Sequence, residues 1–326
     1  MKPRLHFLYP GWFAVVMGLT GLALAWHRAV PLMGETAGAL AIVVGALGGA
    51  VFAVLLAAFA WRAWRHPEAW HEDRQHPVRH TFVAALPVAA MLVATVAVAL
   101  TGAGPAAAAL WWAGSVAQVA ATWWVVSRWW ARPAWPSVTP ALFIPVVGNV
   151  LAPLAGVPLG AEAWSAAQFG IGLLFWPVVL TLVVVRLAVQ GPWPERLKPT
   201  AFIVIAPPAV VATAALQLGA PPVVAWMGWG MAMFGFAWAA TQARAIAQLP
   251  FGLMHWALSF PLAALAGLTL RLATPGSPLA VLGPVLLALA SLVILGLAFA
   301  TVRGLRDGTL LAPEPVAAIV PAAAGA

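Results

Sequence analysis

The side chains of this chain best suited to chemistry crowd into one stretch, "RHPEAWHEDRQHPVRH" (residues 65–80). There His66, His71, His76 and His80 stand beside Glu72 and Asp73. Imidazoles and carboxylates together suggest a transition-metal centre, but the successive gaps of five, five and four residues match no specific ligand spacing. The stretch reads as a solvated basic loop that holds no metal. The chain has no cysteine, hence no disulfide framework, thiolate ligand or cysteine nucleophile. A Walker loop, a dinucleotide fingerprint and a nucleophile constellation are all missing. Neither an enzyme nor a cofactor is expected.

A second, sparser set of polar residues lies inside long apolar runs: Thr20, Thr95, Asn149, Thr213, His255 and Ser259. Weak dipoles of this kind replace part of the water around a permeating anion without trapping it, and conduction needs binding that weak. Each would serve equally well as a hydrogen bond between helices. His255 could sense pH, meet the ion, or simply hold structure. The eight carboxylates all fall in loops, at the ends of apolar runs or in the tail, and no Lys or Arg sits mid-run. A coupled pump or transporter generally displays an ionisable group within the membrane. Its absence argues against carboxylate-based proton or sodium coupling and against a cation pore lined by acidic rings.

The elements that carry these residues follow from composition. Of 326 residues 63% are hydrophobic and only 7% charged, whereas a soluble domain is about a quarter charged. The expected fold class is an all-α polytopic membrane protein, with one transmembrane domain over 1–326. Its ten spans fall at about 11–29, 38–62, 80–101, 106–128, 139–157, 163–188, 200–218, 223–245, 252–272 and 279–302. A loosely ordered tail is expected over 303–326. Fourteen of the sixteen Lys and Arg residues collect on one side of such spans, and only Arg28 and Arg271 on the other. Both termini are therefore expected in the cytoplasm, with a bacterial-type inner membrane as the site. The net charge of +8 reads as this topology signal and not as nucleic-acid binding. Trp12, Trp61, Trp64, Trp111, Trp112, Trp129, Trp130 and Trp164 lie near span ends, where amphipathic rings anchor at the headgroups.

The prolines repeat. Pro87, Pro145, Pro207 (followed by Pro208) and Pro261 lie within the third, fifth, seventh and ninth spans, 58, 62 and 54 residues apart, close to one helical hairpin each. The first span has Gly18 and Gly21 in place of a central proline; Pro177 in the sixth and Pro284 in the tenth depart from the pattern. Irregular backbone at membrane depth is tolerated where protein or a water-filled path surrounds it. The odd spans should thus form an inner ring around a central pore, kinked at Gly18, Pro87, Pro145, Pro207 and Pro261, with the even spans outside.

The motifs "PGWFAVVMGLTGLALAW", "HPVRHTFVAALPVAAMLV", "FIPVVGNVLAPLAG", "AFIVIAPPAVVA" and "HWALSFPLAALAG", in this order over essentially the whole chain, resemble the tellurite-resistance/dicarboxylate transporter family. That family includes TehA-type bacterial proteins, fungal malic acid and sulfite exporters, and plant slow anion channels. The resemblance implies ten helices in five hairpins with quasi-five-fold symmetry, and three such protomers in a homotrimer with separate pores. It also implies a gate, because the family's pore-closing phenylalanine on the ninth helix matches Phe260, followed here by Pro261. Eight α-helical residues from Gly252 would carry that ring about 12 Å into the bilayer. The implied function is a passive channel for small anions such as chloride and nitrate. The alternative is a secondary carrier or exporter of C4-dicarboxylates, sulfite or tellurite-type oxyanions. The expected partners are such anions and the lipid bilayer.

Overall fold

A computed structural model describes residues 4–131 and 135–312, and every regular element among them is helical. The α-helices, in chain order, are α1 (Phe13–Met33), α2 (Glu35–Arg65), α3 (Pro67–Gln75), α4 (Ala85–Thr101), α5 (Pro105–Ser127), α6 (Phe143–Val147), α7 (Ala152–Gly156), α8 (Glu162–Gln190), α9 (Ala206–Gln217), α10 (Pro222–Ala240), α11 (Ala243–Ala247), α12 (Ser259–Leu272) and α13 (Pro278–Arg306). Tighter 3-10 segments precede several of them: Pro10–Trp12 before α1, Arg79–Ala84 before α4, Glu195–Ile205 before α9 and Leu253–Leu258 before α12. Another, Gly148–Leu151, joins α6 to α7.

Among the described residues, eight helical stretches are long and apolar enough to cross a membrane: Pro10–Met33, Glu35–Arg65, Arg79–Thr101, Glu162–Gln190, Glu195–Gln217, Pro222–Ala240, Leu253–Leu272 and Pro278–Arg306. The two further expected spans also fold as helix but fall short for physical reasons. Helix α5 carries four tryptophans together with Ser115, Gln118 and Thr122, which lower its hydropathy. Pro140–Gly156 is shorter and is broken by its 3-10 segment.

The eight divide by burial. More than half of the most apolar stretch is buried in Pro10–Met33, Arg79–Thr101, Glu195–Gln217 and Leu253–Leu272, and a third or less in the other four. The buried set is the one with broken helices. Pro87, Pro145, Pro207 and Pro261 each fall in the first turn of a newly started α-helix, where the backbone N–H has no partner within that helix and proline costs little. The kink expected at each proline is in fact a change from 3-10 to α-helix just before it. By contrast α2, α5, α8, α10 and α13 run unbroken, Pro177 and Pro284 included.

Packing follows the same division. Helix α1 lies against α2, α4, α12 and α13, while α4 meets α5 and α7. Likewise α9 meets α7, α10 and α12. Glycines let the unbroken helices close onto the breaks. A Cβ on Gly114 of α5 would come 2.9 Å from the Pro87 carbonyl oxygen, and one on Gly228 of α10 would come 2.7 Å from that of Pro208. Small residues at such crossings are what helix association in lipid relies on.

Other expectations are revised. The His-rich loop contains helix α3, so it is not simply solvated. The eighth expected span, 223–245, ends as an α-helix at Ala240 and gives way to the short α11. Trp111 and Trp12 are buried in the core; the Trp111 indole donates to the Ala152 carbonyl at 3.2 Å, so neither ring anchors at a headgroup. The tail begins later than 303: α13 continues through Arg306, and the backbone amides of Thr309 and Leu310 fold back onto the Gly304 carbonyl. Residues 313–326, Lys2 and Arg132 lie outside the described residues.

Candidate functional site

Two cavities lie among the broken helices. The first is walled by residues from the early parts of five segments, 9–17, 82–88, 143–151, 203–210 and 253–261. The second is walled by residues from the later parts of the same segments, 21–28, 92–99, 154–158, 209–217 and 260–268. Val210 and Phe260 are the lining residues common to both. The Phe260 ring is partly buried and rests against Gly21, where an added Cβ would stand 2.8 Å from its Cδ2. The 3-10 run Leu253–Leu258 rises about 2.0 Å per residue, so Phe260 lies about 15 Å along the segment from Gly252, deeper than an all-α path would take it.

The other residues singled out from sequence separate into three groups. Pro207 and Pro261 line the first cavity and Thr95 and Thr213 the second. Each threonine hydroxyl donates to a carbonyl of its own helix, Met91 and Ala209 respectively, at 2.8 Å, so its hydrogen is not free for an anion. Gly18, Thr20, Ser259 and His255 line neither cavity. Gly18 sits within an unbroken α1 and is no kink; it gives room to Ser259 and Trp256 of the neighbouring segment. Thr20 faces Gly48 of α2 and donates to Val16 at 2.7 Å, and Ser259 donates to Trp256 at 2.6 Å. The His255 Nδ1 shares a hydrogen bond with the Gly252 backbone, and its ring leans on Phe251. Pro87 and Pro145 are buried and line neither cavity, although their neighbours Val88 and Ile144 line the first.

Asn149 has a structural role. Its amide donates to Thr122 Oγ1 at 2.7 Å and to the Val146 carbonyl at 2.9 Å, and its oxygen accepts from Gln168 Nε2 at 3.1 Å. Thr122 and Gln118 in turn donate to the Pro145 carbonyl at 2.6 and 2.9 Å. This network supplies partners to carbonyls freed at the α6–α7 break, which lipid could not. Asn149→Leu would leave one hydrogen of the Gln168 amide without a partner, the Ser115 carbonyl still accepting from that nitrogen at 3.3 Å, and is expected to cost about 1–3 kcal/mol. Unfolding of detergent-solubilised protein checks this; unchanged stability with altered anion selectivity would instead return Asn149 to an ion path.

Sequence reasoning gave no weight to two aspects of the cavities. Arg28 lines the second, and neither Arg28 nor the neighbouring-segment Arg271 has an acidic partner among the described residues; Arg271 Nη1 is buried without one. Tyr9 lines the first, its ring packed over Gly11 and beneath the Arg79 guanidinium, 5.3 Å from its centre. The positive-inside count marked Arg28 and Arg271 only as exceptions to a rule.

Comparison with known proteins bears on this arrangement. A family model described as "SLAC1: Voltage-dependent anion channel" matches residues 8–302. The chain is 26% identical over 262 residues to a Haemophilus influenzae protein named "Tellurite resistance protein TehA homolog", covering 78% of each. It is also 26% identical to two Arabidopsis thaliana proteins, "S-type anion channel SLAH2" over 133 residues and "S-type anion channel SLAH3" over 166. These matches cover 40% and 50% of this chain and 26% of each plant protein.

Proposed function

The chain belongs to the voltage-dependent anion channel family, a family of membrane anion channels and transporters and not of enzymes, and from that premise we propose that it is a passive channel for small anions such as chloride and nitrate. The pore runs through the two cavities, and Phe260 closes it between them. The observation that carries this reading is that Phe260, with Val210, forms the wall shared by two cavities lined by the same five segments. Helices α1, α4, α7, α9 and α12, each in contact with the next and α12 with α1, support an inner ring. With α2, α5, α8, α10 and α13 paired outside, that arrangement makes ten spans in five hairpins. Aromatic and aliphatic walls around a narrow point hold it dry, and a dry constriction blocks ions as effectively as a plug. The fourteen basic residues of one side support a cytoplasmic position for that side and both termini, in a bacterial-type inner membrane. The homotrimer rests on family likeness.

Arg28 and Arg271 support a second reading, export or exchange of a doubly charged anion such as a C4-dicarboxylate, sulfite or a tellurite-type oxyanion, because unpaired guanidiniums favour such carboxylate and oxyanion geometry. Reconstitution into liposomes separates the two. A channel gives current that reverses at the anion equilibrium potential and persists without a counter-substrate. Saturable flux that requires a substrate on the opposite face would replace the channel by the carrier.

A further inference from the structure

The amino-terminal 3-10 turn Arg4–Phe7 delivers His6, only 4% exposed, to the junction between α2 and α3. There it meets His66, the residue linking those two helices, and Glu68 in the first turn of α3. One donor atom from each of the three lies within 4.8 Å of the others. His66 Nδ1 stands 3.2 Å from Glu68 Oε1, and His6 Nδ1 stands 3.7 Å from the same oxygen. A tetrahedral zinc ion with bonds of about 2.0–2.1 Å spaces its ligand atoms about 3.3–3.4 Å apart, so the cluster is already near ligand spacing. The other His6 nitrogen, Nε2, lies 3.0 Å from Glu72 Oε2. A metal-bound imidazole is typically oriented by donating its second N–H to a carboxylate in this way.

We propose that His6, His66 and Glu68 bind a divalent metal ion of the zinc class, with Glu72 orienting His6 and water filling the remaining position. Mixed nitrogen and oxygen donors favour zinc, nickel or copper over magnesium or calcium. The Arg62 guanidinium, which donates to the His6 carbonyl at 3.1 Å, is engaged by Asp73 at 2.7 Å, which offsets its repulsion of a cation. The site pins the amino-terminal segment, three residues ahead of Tyr9 in the first cavity, to the α2–α3 corner. It was not legible in the His-rich stretch, because its buried ligand, His6, comes from 60 residues upstream of His66. The inference stands independently of what the protein transports.

The test titrates zinc into the full-length, untagged, detergent-purified protein against a chromophoric chelator, with a parallel magnesium titration. One zinc per chain at micromolar affinity or tighter is expected, with no competition from magnesium. His6→Ala and Glu68→Gln should each weaken binding by at least the ~10–100-fold that loss of an outer partner alone brings. His71→Ala, removing the exposed histidine of α3 that contacts Gln75, should bind as wild type. Zinc should also raise the unfolding midpoint of wild type, reversibly with EDTA, and not that of Glu68→Gln. Because Glu68 is exposed, that variant keeps the test valid if His6→Ala fails to fold. Wild-type binding no tighter than millimolar, or wild-type affinity in Glu68→Gln, overturns the site and leaves ordinary histidine–glutamate pairs.

Discussion

Phe260→Ala is expected to raise anion current through the reconstituted protein by about tenfold or more, equivalent to lowering the barrier by about 1.4 kcal/mol. The ring, with Val210, is the wall shared by the two cavities, and its truncation is expected to join them while leaving both linings otherwise intact. Because the ring is only partly buried, its loss removes less packing than the 3–5 kcal/mol typical of a core phenylalanine, so the variant should fold. Voltage-clamp recording in chloride and then in nitrate, beside wild type, reads the outcome. A wild-type level of current in the variant would make the ring ordinary packing and send the ion path elsewhere.

The largest loss of stability is expected from Arg62→Ala. Arg62 is 1% exposed and Asp73 0% exposed, and their ion pair closes the corner between α2 and α3. The Arg62 guanidinium also donates to the backbone carbonyls of His6 and Ala69, at 3.1 and 3.2 Å. Removing one member of a buried pair leaves the other charge uncompensated, at about 3–5 kcal/mol. Arg79, 3.5 Å from Asp73 and partly exposed, takes up some of that charge, so Arg79→Ala should cost distinctly less. Unfolding of both variants in the same detergent ranks them. A loss in Arg62→Ala no larger than that in Arg79→Ala would show Arg79 to be the stronger partner.

The ten apolar runs read from composition end within a few residues of ten helical stretches, as at 80–101 against Arg79–Thr101 and 252–272 against Leu253–Leu272. Hydropathy and charge are local, and so are the boundaries they set. Which face of a span points inward is not local. A 3-10 segment advances about 120° per residue and an α-helix about 100°, so six 3-10 residues such as Leu253–Leu258 turn everything after them by about 120° relative to an all-α reading. Ser259, His255 and Thr20 line neither cavity, whereas the proline positions, which mark where the break occurs and not where a side chain points, could be read. Asn149 was legible as polar at membrane depth, but its partners Thr122 and Gln168 belong to other helices. His6 carried no signal at all, since only the fold brings it to His66.

The change from 3-10 to α-helix immediately before Phe260 sets a clock. An exposed side chain turns between rotamers in picoseconds to nanoseconds; were the partly buried Phe260 ring as free, each passage would be too brief to resolve and current through such a gate would be a smooth leak. Converting part of Leu253–Leu258 to α-helix, in contrast, shortens the segment by about 0.5 Å per residue and swings the ring with it. Collective helix movements of that kind take microseconds to milliseconds. Openings with measurable dwell times would therefore report the backbone in motion, and a featureless current the ring by itself.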